Sequence, residues 1–431
     1  MPLRKIKLKK ALSLLEIVLC GIGIILGVGI YVLVGKAAGI AGNATWLAFV
    51  IGAIVAGLTG LSYAELSSIF PKAGAEYVYT EKTLGKRLAF LVGWLIIIGT
   101  MFAAATVSLG FGGYLSFFVN FPILLSAGVL IVILSFINFY GIKESARLVS
   151  SFTIIEVIGL LIIILIGIPY FGSADINYFE TPANVGIEGI FQAAALLFFA
   201  YLGFEEVARL SEETKKAEET IPKAIVISIA ITTLIYILVA LSAVSVINWQ
   251  TLALSDSPLA DVAQKALGGS ASIILAVIAL FATANTALLM LIANSRLMYG
   301  MASYDSLPKI LGDVHKTRKT PWIAIAATGI LSIAFIGLGD IKFVANVTNF
   351  TVFITFTIIN ASLIWLRYAK PNLKRPFKAP FNIGQFPTLA VLGIASCIIF
   401  MLNLGLEIII GGTALIIAGL VVYEIISRKR K

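Results

Sequence analysis

The sequence GIGIILGVG (Gly21–Gly29) lies in the middle of a long apolar run. Each glycine costs an α-helix about 1 kcal/mol relative to alanine. Close packing of small residues explains a single spaced glycine pair, but it explains a dense cluster in mid-helix less well. Unwound backbone persists inside a membrane only where it is buried in protein or lines a cavity. The stretch therefore predicts a membrane helix that is broken around a binding site.

The composition of the whole chain supports a membrane location for this stretch. The chain has 431 residues, of which 59% are hydrophobic and only 13% are charged, whereas soluble proteins carry about 25% charged residues. A water-facing surface needs more charge than this, and a disordered chain needs fewer apolar residues. These numbers exclude soluble globular, disordered and collagen-like proteins.

Histidine and cysteine are too scarce to build common metal or catalytic sites. His315 is the single histidine, which excludes sites built on several histidines and excludes a Ser-His-Asp triad as well. Cys20 and Cys397 lie in apolar runs, where cysteine packs as a small hydrophobic residue. We expect no metal and no cofactor.

Twelve apolar runs are long enough to cross a bilayer, which takes about 20 residues each. In chain order the predicted spans are Leu12–Ile40, Thr45–Phe70, Leu88–Val119, Ile123–Tyr140, Val149–Tyr170, Ile187–Leu210, Ile221–Ile247, Ser270–Ala302, Trp322–Leu338, Phe343–Arg367, Phe386–Asn403 and Leu406–Ile426. The sequence therefore predicts an all-α integral membrane protein with twelve transmembrane helices.

The basic residues predict the orientation of these spans. The chain has 32 Lys and Arg residues, and all except Lys36, Lys265 and Lys342 fall on the side that holds both termini. Cytoplasmic loops carry the excess of Lys and Arg, so we expect a multi-pass protein of the cell membrane with both termini in the cytoplasm. This asymmetry explains the net charge of +10. We expect the bilayer and a small molecule as partners, and no nucleic acid.

A second interruption is predicted in the sixth span. The stretch FFAYLGFEE (Phe198–Glu206) places one glycine before two acidic residues, although an aromatic packing face with a charged end explains it about equally well. The sixth span would open a second unit of five helices, as the first span opens the first unit. Broken segments at matching positions of two inverted halves indicate a binding site near the membrane midplane.

At these residues the sequence resembles the amino acid–polyamine–organocation (APC) superfamily of permeases. The similar segments keep their order along the chain and are GIGIILGVGIYVLVG (Gly21–Gly35), Tyr63–Trp94, Phe198–Ile225 and Asn294–Pro321. The resemblance implies a LeuT-type fold in a single transporter domain, with two inverted repeats of five helices and two peripheral helices. The repeats would occupy residues 1–170 and 187–367, and the peripheral helices residues 386–426. It also implies secondary transport by alternating access, usually of amino acids.

The resemblance further implies where the substrate binds. Backbone N–H groups of Leu26, Gly27, Val28 and Gly29 would bind its carboxylate, and carbonyls of Gly23, Ile24, Ile25, Phe199, Ala200 and Leu202 would bind its ammonium group. Tyr201 and Phe204 would form the side-chain pocket and a gate. The family often has Ser or Thr at the position of Val28, so carboxylate binding would depend on the backbone. The surroundings offer no obvious fixed charge, which favours a neutral substrate.

One acidic residue, Glu156, falls in the middle of the fifth span, where a buried carboxyl group is costly and suggests a function. In proton-coupled relatives a lysine follows an arginine by nine residues in this helix, and here Glu156 follows Arg147 at that spacing. Without an obvious cationic partner, Glu156 would be protonated, hold a cation or meet the substrate; a permanently neutral, hydrogen-bonded Glu is the alternative. We predict proton coupling through Glu156, while sodium symport, uniport and exchange of amino acids or polyamines stay open.

Three polar residues of the eighth span are further candidates. Thr283, Asn285 and Thr286 could line a cation or substrate site, although hydrogen bonding between helices explains them as well.

A third set of polar residues lies near the predicted cytoplasmic ends of the spans. Glu65, Glu205, Glu206 and Arg296 could form an inner gate of ion pairs, or they could be solvated loop ends. The mixed charges of Ser211–Lys223 predict a short solvated helix.

The sequence lacks the features of two other classes of function, channels and membrane enzymes. A channel would need a selectivity filter, and we find none in the sequence. An enzyme would need catalytic residues, but the sequence has no HExxH, GxSxG or Walker motif. We therefore predict a transporter that is not an enzyme.

Overall fold

The computed structural model describes residues 8, 10–116, 118–172, 176–255, 257–338 and 341–428. In this part of the chain, ten helical segments are long and apolar enough to cross a membrane. Two shorter apolar helices, Trp322–Phe335 and Thr388–Leu402, coincide with the ninth and eleventh predicted spans. The prediction of an all-α membrane protein is confirmed, while the number twelve and the inverted repeat stay predictions.

The elements of the described residues are nearly all α-helices. In chain order they are α1 Leu14–Ile25, α2 Val28–Tyr31, α3 Leu33–Ala41, α4 Thr45–Ile69, α5 Ala75–Thr83, α6 Lys86–Ser116, α7 Ile123–Tyr140, α8 Ile142–Gly167, α9 Ile187–Leu197, α10 Phe204–Arg209, α11 Ala217–Val246, α12 Trp249–Leu254, α13 Pro258–Leu267, α14 Gly269–Ser303, α15 Trp322–Phe335, α16 Ile341–Ala369, α17 Thr388–Leu402 and α18 Leu406–Arg428. Strands β1 (Asn382–Ile383) and β2 (Phe386–Pro387) form a small antiparallel hairpin.

The first helix begins at a capping box. The backbone N–H of Ser13 donates to the Glu16 carboxylate at 2.7 Å, and the N–H of Glu16 donates to the Ser13 hydroxyl at 3.5 Å. These reciprocal bonds satisfy backbone donors that the first turn leaves without partners. The helix therefore begins at Leu14, two residues after the predicted start of the span.

The predicted break in the first span is confirmed. Helix α1 ends at Ile25, and Leu26 is extended with φ −72° and ψ 99°. The chain bends at Gly27 and turns back into helix at Val28. The glycine cluster thus produces the interruption that its helix-breaking cost predicts.

The predicted break in the sixth span is also confirmed. Helix α9 ends at Leu197, a 3₁₀ turn covers Phe198–Tyr201, and Leu202 is extended. Gly203 then adopts φ +125° before α10 begins at Phe204. Residues with a side chain rarely adopt this backbone conformation, so the single glycine of this stretch marks the break.

Both breaks lie in the middle of the helical bundle. Helix α1 packs against α8, α11 and α14, and α10 packs against α1, α4, α11 and α14. Helices α17 and α18 pack against α4, α6 and α16 from outside, and little of α18 is buried. The interrupted segments are therefore surrounded by uninterrupted helices, which fix their positions.

One prediction about the connecting segments differs from the structure. The stretch Ser211–Lys223 is not one solvated helix, because a 3₁₀ turn covers Ser211–Glu213 and α11 begins only at Ala217. Glu213 is buried there, since it pairs with Arg296. The N-terminal basic residues behind the predicted orientation, namely Arg4, Lys5, Lys7 and Lys9, lie outside the described residues.

Candidate functional site at the two helix breaks

The two interrupted segments touch each other in the interior of the bundle. A Cβ atom added to Gly29 would overlap the side chain and the backbone Cα of Ala200. Helix α2 also packs against the 3₁₀ turn Phe198–Tyr201. Only glycine at position 29 allows this approach, and the glycine-rich stretch therefore brings the two breaks together.

A tyrosine of α11 connects the carbonyls of both breaks. The Tyr236 hydroxyl lies within hydrogen-bond distance of the Ile25 carbonyl and, at 2.9 Å, of the Ala200 carbonyl. Tyr236 is fully buried. Two of the predicted ammonium-binding carbonyls, one from each break, therefore face a common point. Tyr236 could not be predicted from the sequence, because a tyrosine within an apolar run carries no distinguishing signal.

A threonine of α14 contacts the first break from the other side. The Thr286 hydroxyl lies 3.3 Å from the Gly23 carbonyl and 3.4 Å from the Leu26 carbonyl. The Thr283 hydroxyl instead lies 2.8 Å and 3.1 Å from the carbonyls of Ala279 and Leu280 in its own helix. Thr286 therefore contacts the break, whereas Thr283 bonds within α14.

The first turn of α2 supplies backbone donors at the same place. Its first hydrogen bonds run from the N–H groups of Ile30 and Tyr31 to the Gly27 carbonyl, at 3.2 Å and 3.3 Å. The N–H groups of Gly27, Val28 and Gly29 precede these bonds, and helix N-terminal N–H groups have no partner within their helix. Such groups favour an anion. The side chain of Val28 lies outside the described residues.

The other predicted residues of the breaks have defined positions. The Leu202 N–H donates to the Phe199 carbonyl at 3.3 Å, so this carbonyl is already engaged. Ile24 packs at Gly203, where an added Cβ would lie 2.6 Å from its side chain. The Leu26 N–H donates to the Ile22 carbonyl at 2.8 Å, and this removes Leu26 from the group of unpaired donors.

The two aromatic residues proposed for the pocket and gate lie on different sides of the second break. The Tyr201 hydroxyl donates to the Phe49 carbonyl at 2.9 Å, and its ring lies 5.3 Å from that of Tyr236. The Phe204 ring lies 5.8 Å from that of Tyr63 and 5.3 Å from that of Phe356. Both side chains are buried, and their gating roles stay predictions.

Glu156 is fully buried next to the first interrupted helix. The Asn285 amide lies 3.4 Å from its Oε2 atom and 3.0 Å from the Thr153 hydroxyl. Within the described part of the chain, the Oε1 atom has no hydrogen-bond partner. An added Cβ at Gly23 would collide with both Thr153 and Asn285. Helix α1 therefore packs directly against the cluster of polar side chains formed by Thr153, Glu156 and Asn285.

All four residues predicted to form an inner gate are buried, so the alternative of solvated loop ends is wrong. Their partners are not one another. The Glu205 carboxylate accepts from the Gly203 N–H at 2.9 Å, and Glu206 lies 3.4 Å from Arg209. The grouping of these residues into one set of mutual ion pairs is therefore corrected.

The other two predicted gate residues each form a bidentate ion pair with a partner that was not predicted. Arg367 donates to Glu65 at 2.8 Å and 2.5 Å. Arg296 donates to Glu213 at 3.1 Å and 3.3 Å, and also to Asn138 at 2.6 Å. Such bidentate arginine–carboxylate contacts are both strong and geometrically specific.

A third buried pair joins α10 to α5. Arg209 donates to Glu76 at 3.1–3.2 Å, and both side chains are almost completely buried. The count of basic residues on each side of the membrane assigns Arg209 and Arg367 to loops and helix ends. Such a count gives no information on whether a side chain is buried. Together, the three pairs connect α5 with α10, α14 with the turn before α11, and α4 with α16.

The chemistry of the breaks is suited to recognition. Carbonyl oxygens face one point and helix N-terminal N–H groups lie beside it, so a cationic and an anionic group can bind at neighbouring positions. In the described residues, no group of three or more His, Cys, Asp and Glu side chains could hold a metal ion. This arrangement matches the two charged ends of a zwitterion.

Comparisons with known proteins identify the family. The profile of the amino acid permease family matches residues 12–423. The branched-chain amino acid permease BcaP of Bacillus subtilis is 32% identical, over 98% of this chain and 94% of the relative. The methylthioribose transporter of the same bacterium is 30% identical over the same shares. The mouse cationic amino acid transporter 4 is 30% identical over 88% of this chain and 63% of the relative. The chain therefore belongs to the amino acid permease family, within the APC superfamily.

Proposed function

We propose that the protein is a secondary transporter of amino acids that works by alternating access, with the two helix breaks as its substrate site. The observation that carries this proposal is the convergence of the Ile25 and Ala200 carbonyls at Tyr236, beside the N-terminus of α2. The relatives are named as permeases and transporters, which supports the prediction that the chain is not an enzyme.

The α-ammonium group of the substrate would bind the carbonyls that Tyr236 and Thr286 now contact. An ammonium group has three N–H donors, and the carbonyls of Gly23, Ile25 and Ala200 are acceptors from both breaks. The carboxylate would bind the N–H groups at the start of α2. Because both binding elements are backbone groups, the site recognises the part that all α-amino acids share.

We propose a neutral side chain for the substrate. The breaks themselves present apolar or aromatic side chains, among them Ile24, Leu202 and Phe204, and one relative is named for branched-chain amino acids. A cationic substrate is the second candidate. Glu206 lines a cavity of about 20 Å³ next to Leu202, and its Oε2 atom has no hydrogen-bond partner in the described structure.

The three buried arginine–glutamate pairs form the proposed inner gate. They join helices that belong to different parts of the bundle, including the proposed first and second repeats, residues 1–170 and 187–367. Glu65 lies in α4 and Arg367 in α16, at a sequence separation of 302 residues. Opening toward the cytoplasm would separate such pairs. We place the protein in the cell membrane with both termini cytoplasmic, in a LeuT-type arrangement of twelve helices.

We further propose that a proton drives transport and that Glu156 carries it. The carboxyl group is buried, and the described residues place the Asn285 amide beside it. A sodium ion bound by Glu156 and the Thr286 hydroxyl is the alternative, and exchange without a coupling ion is another.

A substrate screen tests the proposed function. Purified protein is heated in detergent with each of the twenty amino acids, and ligands that raise the melting temperature are then assayed for uptake in proteoliposomes. We expect neutral aliphatic amino acids to stabilise the protein and to be transported. Stabilisation by Lys and Arg alone would favour the cationic candidate, and a complete absence of stabilisation and uptake would contradict amino acid transport.

A matched pair of tyrosine variants tests the site itself. Tyr236→Phe removes the hydroxyl that contacts both breaks, whereas Tyr201→Phe removes one that contacts Phe49 of α4. We expect Tyr236→Phe to lower the apparent substrate affinity about fivefold, because a buried hydrogen bond is worth about 1 kcal/mol and the single phenol hydrogen makes one such bond at a time. Tyr201→Phe should have the smaller effect. Equal effects, measured by equilibrium binding, would place the site elsewhere.

A further inference from the structure

An apolar groove runs between α7 and α15 on the outer surface of the bundle. It has a volume of about 410 Å³, which is within the range of about 300–1,000 Å³ typical of ligand pockets. Small residues form its floor, where Ser135 packs against Gly329 and Ala326 lies alongside. Phe136 and Ile330 stand at its sides with 62% and 68% of their surfaces exposed. The groove is therefore open to the lipid.

Basic residues surround one end of this groove. Trp322 and Phe139 line this end. The loop before α15 contacts it through a hydrogen bond and a cation–π interaction. The Thr320 hydroxyl donates to the Phe139 carbonyl at 3.0 Å, and the Arg318 guanidinium lies 4.7 Å from the centre of the Tyr140 ring. These contacts place the loop's charges at the end of the groove.

The charge at this end is positive. Basic residues outnumber acidic ones in the loop segment Asp313–Pro321 and in the first turn of α8, where Lys143, Lys316, Arg318 and Lys319 stand against Glu144 and Asp313. Lys316 and Arg318 are exposed. Trp322 is 45% exposed, and tryptophan is enriched where lipid headgroups meet the hydrocarbon region. The groove thus combines an apolar channel with a basic, aromatic mouth.

We propose that this groove binds an anionic phospholipid, with an acyl chain along α7 and α15 and the headgroup at Lys316 and Arg318. Charge complementarity selects this occupant, because basic pockets between membrane helices bind anionic headgroups. A second copy of the chain docked through the same face would bring two basic mouths together. Zwitterionic lipids would fill the apolar channel equally well, but they would gain less from the basic residues.

Quenching of Trp322 fluorescence tests the proposal. The protein is reconstituted in phosphatidylcholine that contains a minor fraction of dibrominated phosphatidylglycerol or, in parallel, dibrominated phosphatidylcholine. The Trp322 signal is the difference between the wild type and Trp322→Phe. We expect stronger quenching by the anionic lipid. Arg318→Gln should lower the preference about fivefold, the factor expected for one basic side chain at a charged membrane surface.

Two control variants make the test specific. Lys370→Gln/Lys374→Gln removes two exposed charges after α16 and should leave the preference unchanged, whereas Lys316→Gln/Arg318→Gln should abolish it. Ala326→Phe fills the groove and should reduce quenching by either lipid, while Ala418→Phe, at an exposed position of α18, should not. Equal quenching by both lipids would overturn the proposal, because it would indicate ordinary boundary lipid. Absence of quenching by either lipid would also overturn it, since another protein surface would then cover the groove.

Discussion

Replacing Arg296 with leucine is expected to destabilise the protein by about 3–5 kcal/mol, the cost of breaking a buried ion pair from one side. In the wild type, the Arg296 guanidinium contacts the Glu213 carboxylate at 3.1 Å and 3.3 Å. The substitution leaves this carboxylate buried without its partner. It also removes the donor that Asn138 accepts from. The measurement is thermal unfolding in detergent, read from the loss of monodisperse protein.

Two further variants show whether the unpaired buried charge causes this loss of stability. In Arg296→Leu/Glu213→Leu both charges are gone, and most of the stability should return, because apolar replacements of a buried pair are often neutral. Arg87→Leu breaks an exposed pair with Glu424, at 3.8 Å, and should cost less than about 1 kcal/mol. If the double variant unfolds as readily as the single one, the loss of stability comes from lost side-chain packing and not from the unpaired charge of Glu213.

The double variant also tests the proposed inner gate separately from folding. Once the pair is removed without leaving a charge behind, equilibrium binding of the substrate should be preserved, because Arg296 and Glu213 do not contact the breaks in any described hydrogen bond. The rate of exchange across proteoliposome membranes should change. Lost binding with an unchanged rate would contradict a gating role.

The second large effect is expected for Glu156→Gln. If Glu156 carries the coupling proton, uptake by the wild type rises as the pH falls and needs no sodium, because protonation removes a negative charge next to the first helix break. Glutamine imitates the protonated carboxyl group in shape and charge. The variant should therefore lose the pH response of uptake, measured in proteoliposomes with and without sodium.

Glu206→Gln is the matched control for this experiment. It also neutralises a buried carboxylate. This carboxylate lies beside Arg209, whereas that of Glu156 lies beside the Asn285 amide. It should retain the pH response. Strict sodium dependence of the wild type, or an intact pH profile in Glu156→Gln, would refute proton coupling through Glu156. A response lost only in Glu206→Gln would move the coupling site to the second break.

The two breaks could be predicted from the sequence because their cause is local. Glycine disfavours the helix wherever it stands, and so Gly21–Gly29 and Gly203 indicate an interruption without any knowledge of neighbouring helices. The resemblance to APC permeases added the expected roles of these residues. The same local reasoning located Glu156, since a single acid in an apolar run is visible in the sequence alone.

The partners of the buried charges could not be predicted in this way. Glu65 and Arg367 are separated by 302 residues, and Arg209 and Glu76 by 133. Each arginine lies near the end of a predicted span, where charge counting expects a solvated residue. Burial of these side chains follows from how the helices pack, which depends on the whole chain. Tyr236 was missed for the same reason, because its importance comes from the two segments that meet at its hydroxyl.

The contact between Tyr236 and the two breaks has a consequence for ligand selection. A phenol hydroxyl carries one hydrogen, but the oxygens of Ile25 and Ala200 both stand at it. At any moment it can satisfy only one of them fully, so this point in the bundle has more acceptors than donors. A free ammonium group corrects that imbalance with three hydrogens, whereas an acylated amine brings only one and a carboxylate brings none. If the two breaks are the substrate site, as we propose, that site would select its ligands by the number of hydrogens on their nitrogen.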